Sequence, residues 1–199
     1  MKNTNDGKVP SAFLELPKTN CTACLGSFSF KAEEKNKKRR ILGIDPGLAS
    51  TGWGIVDVNG NKLVHIAHGV IETDANEKHQ IRLLAIYNTI LAVLRRFEPS
   101  EASMESLYFA KNVTSGLAVA EARGVVMLCL AQNTVPLAEY TPLSIKQCVV
   151  GSARAEKKHV QQYVKLLLGL PQIPKPDHAA DALAVAITHF NSGTNLGNL

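Results

Sequence analysis

Long apolar runs are missing from this sequence of 199 residues. The longest unbroken one, from Val125 to Ala131, has seven residues, whereas a membrane-spanning helix needs about 18 or more. Aromatic residues are also sparse at 6%, while 45% of the chain is hydrophobic and 20% is charged. This balance predicts one globular domain of ordinary size, with no membrane partner, and excludes a wholly disordered chain.

Cysteine is scarce as well. Four cysteines in a chain of this length are too few for a disulfide scaffold, which favours a reducing, cytoplasmic setting. Cys21 and Cys24 have the CxxC spacing, but a zinc site needs two more ligands and a redox motif needs a thioredoxin-like context. Neither is evident nearby, so we interpret the pair as incidental, and its role stays open.

Surplus positive charge is confined to the start of the chain. Residues 1–40 hold nine of the 22 Lys/Arg and four of the 17 Asp/Glu, which accounts for the whole net charge of +5. The remaining residues carry thirteen charges of each sign. Net charge therefore does not indicate that the folded part binds nucleic acid, and such binding must depend on how its charges are distributed or on the basic arm 35–40.

The sequence predicts three segments: an N-terminal extension at 1–38 that is disordered, a folded domain at 39–192 and a flexible tail at 193–199. The extension lacks sustained periodicity, and its apolar stretch Ala12–Leu14 is too short for a secretory signal. Four acids within it count against a transit peptide. Whether the extension is a DNA-binding arm, an inert tail or a stretch upstream of the true start stays open.

Hydrophobic periodicity predicts an α/β domain. Strands are expected at 41–45, 51–58, 62–71, 102–107 and 135–140, and helices at 76–97, 112–132, 142–150, 156–168 and 177–190. Tight turns between the first three strands predict an antiparallel meander, and the long helices between later strands predict parallel neighbours. The expected fold is a mixed five-stranded sheet flanked by helices.

Two acids stand where an acid is unusual. Asp45 follows the apolar run Ile41–Ile44, and Glu105 lies within the predicted fourth strand. A carboxylate at either place is costly unless it binds a partner, a metal or water. A turn Asp before Pro46, or a solvent-facing Glu, would explain each equally well.

A third group of acids begins the last helix. His178 and Asp181 share one face, and so do Asp177 and Asp181. We interpret Asp177 as a helix cap, whereas Asp181 lies among Ala and Leu and needs a partner. Three carboxylates and a His on two strands and a helix would suit Mg²⁺ or Mn²⁺, but spacing alone does not choose between a metal site and a structural role.

Five motifs in order resemble the RuvC family, Holliday junction resolvases with a ribonuclease-H-like fold. The likeness covers residues 40–191. The motifs are ILGIDPG with TGWG at 41–47 and 51–54; Glu105 followed by YFAKN at 108–112; EARG at 121–124; YTP at 140–142 with KQ at 146–147 and VVG at 149–151; and AADALA at 179–184.

The resemblance implies roles for individual residues. Asp45, Glu105 and Asp181 would be metal-binding catalytic carboxylates, and His178 would stand at a fourth position that is usually Asp, as a metal ligand or a proton relay. Lys146 and Lys157 would lie near the cleaved backbone. Tyr108 would stack on an unpaired base, and the phosphate contacts would include Lys111, Arg123, Arg154 and Lys158. One departure is Ala153, where the family often has a second glycine.

The resemblance also implies an activity: metal-dependent hydrolysis of four-way DNA junctions, leaving 5′-phosphate and 3′-hydroxyl ends, in recombination and repair. One or two Mg²⁺ ions per subunit are expected, with Mn²⁺ as a substitute. The expected partners are junction DNA, a second copy of the chain packed through helix 112–132, and a branch-migration motor. Two alternatives stay open: a junction-binding protein that does not cut, and a ribonuclease-H-like nuclease acting on another substrate such as an RNA–DNA hybrid.

Overall fold

A computed structural model describes residues 38–106 and 113–193, with side chains from Gly116 onward in the second range. The extension with Cys21 and Cys24, the tail from 194, and the predicted DNA contacts Tyr108 and Lys111 lie outside the described residues. No helix within the described ranges is both long and apolar enough to cross a bilayer.

The predicted order of elements is confirmed. The strands are β1 (Arg40–Asp45), β2 (Ser50–Asn59), β3 (Lys62–Glu72), β4 (Glu101–Glu105) and β5 (Leu137–Tyr140), and the helices are α1 (His79–Phe97), α2 (Val113–Gln132), α3 (Pro142–Val150), α4 (Lys157–Leu167) and α5 (Asp177–Gly193). Most bounds fall within a few residues of those expected.

Two boundaries differ from the prediction for local reasons. Helix α1 begins three residues late, because Asp74 forms a turn in which its side chain accepts a hydrogen bond from the Asn76 amide, at 2.9 Å. Strand β4 ends at Glu105, so this acid is the last residue of its strand and not an interior one as expected.

The sheet has the order β3-β2-β1-β4-β5. Strands β1 to β3 form the predicted antiparallel meander, whereas β4 lies parallel to β1 and β5 lies parallel to β4. The carboxyl ends of β1 and β4 therefore lie side by side at one edge of the sheet. This confirms the mixed five-stranded α/β fold.

Each face of the sheet buries its own core. Leu42, Ile44 and Met104 pack under α1 and α2, and Ile41 and Val56 pack under α3, α4 and α5. Because side chains alternate along a strand, residues two apart share a face. The α5 face of β1 thus carries Ile41, then a glycine, then Asp45.

Helix α5 lies unusually close to the sheet. A Cβ added to Gly43 on β1 would come within 2.0 Å of the Ala182 carbonyl oxygen, and one added to Gly52 on β2 would come within 2.0 Å of that of His178. The residues of α5 that pack against the sheet include alanines that are almost fully buried. Glycine on the strands and alanine on the helix therefore bring the backbone of α5 down onto β1 and β2.

A buried ion pair stabilises the opposite end of the sheet. The carboxylate of Asp57 on β2 is fully buried and accepts hydrogen bonds from Arg40, at 2.6 and 3.0 Å, while Lys38 Nζ lies 2.7 Å away. The hydrogen bond from Arg40 is the main cause that holds the pKa of Asp57 below its ordinary value. Lys38, which the sequence assigns to the extension, thus contacts the folded domain.

Candidate active site

The site is built at the carboxyl ends of β1 and β4. Asp45 is the last residue of β1 and Glu105 the last residue of β4, and the two strands are hydrogen-bonded neighbours. By alternation, both acidic side chains project from the face that α5 covers. The strand ends alone therefore bring two of the predicted acids together.

Helix α5 supplies the other two predicted ligands. The His178 Nδ1 atom lies 2.8 Å from Asp45 Oδ2. The backbone of His178 is also in close contact with Gly52 on β2. Asp45, His178 and Asp181 each offer one ligand atom, and these atoms all lie within 4.8 Å of one another. This separation suits three ligands of a single cation.

Glu105 lines an open cavity of about 300 Å³ together with Asp181. The cavity is lined by Glu105 and Asp181, by two lysines, Lys146 and Lys157, and by apolar side chains from α3, α4 and α5. The structure thus brings together all six residues that the sequence predicts as catalytic. Their catalytic roles remain predictions, whereas their convergence is a property of the fold.

The pKa of Glu105 is typical of a carboxyl group in a site that binds a cation. Burial, followed by the negative charges of Asp45 and Asp181, raises the pKa of Glu105 to about 7. Burial is also the largest cause that raises the pKa of Asp181, which Lys157 partly offsets. Carboxylates that repel one another in a poorly solvated place are stabilised as anions by a cation between them.

Lys157 and His178 each approach one of the carboxylates. The Nζ atom of Lys157 lies 2.7 Å from Asp181 Oδ2. Burial lowers the pKa of Lys157, but the hydrogen bond and charge of Asp181 outweigh it, so this pKa is raised. The hydrogen bond to Asp45 likewise raises the pKa of His178. Each contact therefore favours the positively charged form of the group beside the carboxylate.

The loop that carries Lys157 to the site is fixed by Gln147. This side chain accepts a hydrogen bond from the Ala153 amide, at 3.1 Å, and donates one to the Gly151 carbonyl, at 3.0 Å. Gly151 adopts the left-handed φ of 81° that ends α3, and Ala153 is not among the described residues with positive φ. Alanine at this position is therefore compatible with the loop.

The other predicted residues lie in different surroundings. Arg154 and Lys158 are exposed, as phosphate contacts would be. Arg123 is not: its side chain is only 13% exposed and its guanidinium pairs with Glu139. Asp177, interpreted as a cap, is itself the first residue of α5, and its carboxylate lies 4.0 Å from the Nζ atom of Lys157.

Sequence reasoning missed several residues that shape the site. Gly43 and Gly52 admit α5, but an isolated glycine in a strand signals only a close backbone approach, not its partner. Gln147 belongs to one of the five motifs, but the resemblance implies no role for it. Glu139 carried no signal, because an acid on a short strand is unremarkable until its partner is known.

The sheet order, with carboxylates ending β1 and β4 and a third on the final helix, defines a ribonuclease-H-like fold with a candidate two-strand, one-helix metal site. A family model described as crossover junction endodeoxyribonuclease RuvC matches residues 41–189. The chain therefore belongs to the RuvC family.

Individual relatives agree with this assignment. The chain is 49% identical, over 169 residues, to the crossover junction endodeoxyribonuclease RuvC of Treponema denticola, a match that covers 85% of this chain and 95% of the relative. Among solved structures, Thermus thermophilus RuvC is similar with a TM-score of 0.73 at 34% identity, covering 78% of this chain and 96% of that one. The same Thermus protein in complex with a Holliday junction substrate gives 0.75 at 33% identity, covering 79% and 96%.

Proposed function

We propose that this chain is a structure-selective endonuclease that cuts four-way DNA junctions by metal-dependent phosphodiester hydrolysis, in recombination and repair. The observation that carries the proposal is the convergence of Asp45, Asp181 and His178 within 4.8 Å, beside a cavity shared with Glu105 and two lysines. Similarity to a relative solved in complex with a Holliday junction substrate supports the choice of DNA substrate.

The donor set fits a divalent cation. Carboxylate oxygens from Asp45, Glu105 and Asp181 are the ligands that Mg²⁺ and Mn²⁺ prefer, and the imidazole of His178 is a better partner for Mn²⁺ than for Mg²⁺. These four residues would hold one or two ions per subunit. When bound, such an ion activates a water molecule and offsets charge on the leaving oxygen.

The lysines would act on the phosphate itself. Lys146 and Lys157 line the cavity in which a scissile phosphate would lie, and fixed cations there stabilise negative charge that develops in the transition state. Asp181 holds the Lys157 ammonium at 2.7 Å. The same ion pair therefore keeps a cation at the site before DNA arrives.

DNA contacts outside the cavity would surround it. Arg154 and Lys158 are exposed, lie within three residues of Lys157 in the sequence, and would position the phosphate backbone without reading bases. Tyr108 and Lys111, which lie outside the described residues, complete the proposed set with a stacking ring and a further cation. The basic arm 35–40 adds affinity that depends on salt.

A homodimer would present two such sites to the two equivalent strands of a junction. Helix α2 is rich in alanine and glycine, and these small residues have different surroundings. Ala122 is buried in the core, whereas Gly124 is open to solvent. Leu117 and Leu128 share the outer stripe with Gly124 and are more than half exposed.

We propose this stripe as the dimer contact, and the double variant Leu117→Glu, Leu128→Glu should sediment as a monomer. A stable dimer in that variant would contradict this choice.

Two further expectations extend the proposal. A branch-migration motor is the proposed partner on junction DNA, which co-assembly of the two proteins on a labelled junction would test.

The proposed location is the cytoplasm, because its reducing conditions suit the free thiols of Cys129 and Cys148. Cell fractionation would test this, and recovery outside the cytoplasm would contradict it.

The decisive experiment compares the wild type with Asp45→Asn on a labelled four-way junction in Mg²⁺. The wild type should release products with 5′-phosphate and 3′-hydroxyl ends. The variant should bind the junction but cut at least about a hundredfold more slowly, the loss typical of removing one group that stabilises charge in the transition state. Duplex DNA and an RNA–DNA hybrid serve as controls for the substrate.

Two results would redirect the proposal. Junction binding without nicking, in both Mg²⁺ and Mn²⁺, would indicate a binding protein. Preferential cleavage of the RNA–DNA hybrid would indicate a ribonuclease-H-like enzyme with another substrate.

A further inference from the structure

Arg123 lies on the opposite side of the sheet from the carboxylates. It projects from α2, and its Nη1 atom donates a hydrogen bond to the backbone carbonyl of Glu105 at 2.7 Å. Its Nη2 atom lies 2.5 Å from Glu139 Oε2 on β5. One guanidinium therefore bridges α2, the end of β4 and β5.

The contact falls where the sheet supports β4 least. Pairing between β1 and β4 stops at Ile44 and Met104, so Glu105 has a ladder partner only on β5, at Tyr140. The next hydrogen bond, from the Ser106 amide to the Tyr140 carbonyl at 2.8 Å, is also on the β5 side. Arg123 thus adds a contact to a strand end that is otherwise held from one side.

Arginine suits this bridge better than any other cation. Its planar guanidinium carries five N–H donors in a fixed fork, so one group serves a carbonyl and a carboxylate together. The side chain is 13% exposed and its charge is matched by Glu139. Both features leave little of Arg123 for a DNA phosphate, which is the role that the sequence predicts.

We propose that Arg123 is a positioning residue, which holds the backbone of Glu105 from α2 so that the carboxylate on the other face stays directed at the site. Glu139 fixes the guanidinium in the orientation that reaches the carbonyl. The inference rests on the proposed function to the extent that Glu105 is one of the metal ligands. It assigns a role to a pair of residues that never touch the substrate.

Three variants separate the possible roles of Arg123. Arg123→Gln removes the fork and the charge, Arg123→Lys keeps the charge without the fork, and Glu139→Gln keeps the arginine but loosens its orientation. Arg95→Gln is the matched control, because this arginine is exposed near the end of α1. Each protein is tested as the full chain, with its thermal unfolding recorded.

Three measurements follow for each variant: the Kd for Mn²⁺ without DNA, kcat and KM for junction cleavage, and the junction Kd across salt in EDTA. For Arg123→Gln we expect Mn²⁺ affinity and kcat to fall by about tenfold or more, as for other residues that orient ligands. KM, junction Kd and its salt slope should stay near the wild-type values. Arg123→Lys and Glu139→Gln should show smaller losses of the same kind, and Arg95→Gln should show none.

Other outcomes would overturn the inference. A weaker junction Kd with a salt slope reduced by about one, at unchanged Mn²⁺ affinity, would identify a phosphate contact. Lower thermal stability with unchanged Mn²⁺ affinity and kcat would identify a purely structural role.

The inference and the proposed function can fail separately. If the wild type cuts no junction, the proposed function fails, and the Mn²⁺ comparison still tests Arg123. If Arg123→Gln does not fold, Glu139→Gln decides: weaker Mn²⁺ binding supports the positioning role, and unchanged binding overturns it.

Discussion

At the scale of single residues, His178 distinguishes this site from one made of four carboxylates. Its Nδ1 atom is hydrogen-bonded to Asp45, so it joins the cluster without adding negative charge. Two roles fit this position: a metal ligand and a proton relay. Exchanging its charge while keeping its place is the way to separate these roles.

We predict that His178→Asp binds Mn²⁺ roughly tenfold more tightly than the wild type, because ligand charge count sets affinity for hard cations. Without metal, the added carboxylate should lower the melting temperature by repulsion from Asp45 and Asp181, and Mn²⁺ should restore it. Calorimetric titration and thermal unfolding measure the two effects. His178→Asn, which adds no charge, is the control, and equal Mn²⁺ affinity in all three proteins would contradict the prediction.

Asp57 gives a second prediction, for stability and not for activity. Its pKa lies below the ordinary value in the folded protein, so the unfolded chain binds more protons between the two values. The contribution of Asp57 to the free energy of unfolding is therefore complete above its pKa in the unfolded chain, about 3.9. It is lost as the pH falls through the pKa in the folded protein.

Removing this carboxylate should leave Arg40 without its buried partner. We expect Asp57→Asn to cost about 3 kcal/mol of unfolding free energy at neutral pH, with a flatter decline in acid than the wild type. Urea unfolding across pH measures both. If the free energy of unfolding falls equally steeply in acid for the two proteins, Asp57 does not titrate as described.

At the scale of secondary-structure elements, the seating of α5 decides whether the site exists. Gly43 and Gly52 leave room for the helix backbone, and the alanines of α5 occupy that room. The helix carries His178 and Asp181 at its first turns. Small shifts of α5 therefore change the spacing of the ligands.

Adding one methyl group should test this seating. In Gly52→Ala the new Cβ would lie 2.0 Å from the His178 carbonyl oxygen, so α5 must move. We expect a loss of about 1–3 kcal/mol in stability together with weaker Mn²⁺ binding.

A glycine in open space provides the matched control for that variant. Gly124 lies on α2 with nothing of its own chain near its Cβ position, within the stripe proposed as the dimer contact. In the Leu117→Glu, Leu128→Glu background, which removes that contact, Gly124→Ala should therefore gain up to about 1 kcal/mol. Unchanged Mn²⁺ affinity and stability in Gly52→Ala would contradict the account of how α5 is placed.

The elements show which parts of the structure sequence could and could not predict. Alternation and turn residues predict the meander, and helical periodicity predicts α1, because both are local signals. The five ordered motifs predict that Asp45, Glu105 and Asp181 converge. The partner of Arg123 was not predictable, since a contact between α2 and a backbone carbonyl on β4 leaves no mark in the spacing of either segment. The close approach of α5 to the sheet was not predictable either, because it depends on glycines in two different strands.

At the scale of the whole molecule, the net charge of +5 lies in residues 1–40, whereas residues 41–199 carry thirteen charges of each sign. The six lysines and four acids of residues 1–37 can add a general attraction to DNA, whereas the cavity lysines act locally. Lys38 belongs with the domain, because it pairs with Asp57. A truncation that tests the arm should therefore begin at Lys38.

Removal of residues 1–37 takes away six lysines and four acids. We predict weaker junction binding with a smaller salt slope, but an unchanged cleavage position and kcat, because none of the proposed site residues is lost. Junction Kd measured from about 50 to 200 mM salt tests this. An unchanged slope would show that the arm does not contact DNA.

The central claim is that three carboxylates, one each from β1, β4 and α5, bind one divalent metal centre. The most direct measurement is a crystal structure with Mn²⁺, in which anomalous scattering locates the ion. The account predicts a peak at about 2.1 Å from carboxylate oxygens of Asp45, Glu105 and Asp181. A peak bound elsewhere, or none at saturating Mn²⁺, would contradict it.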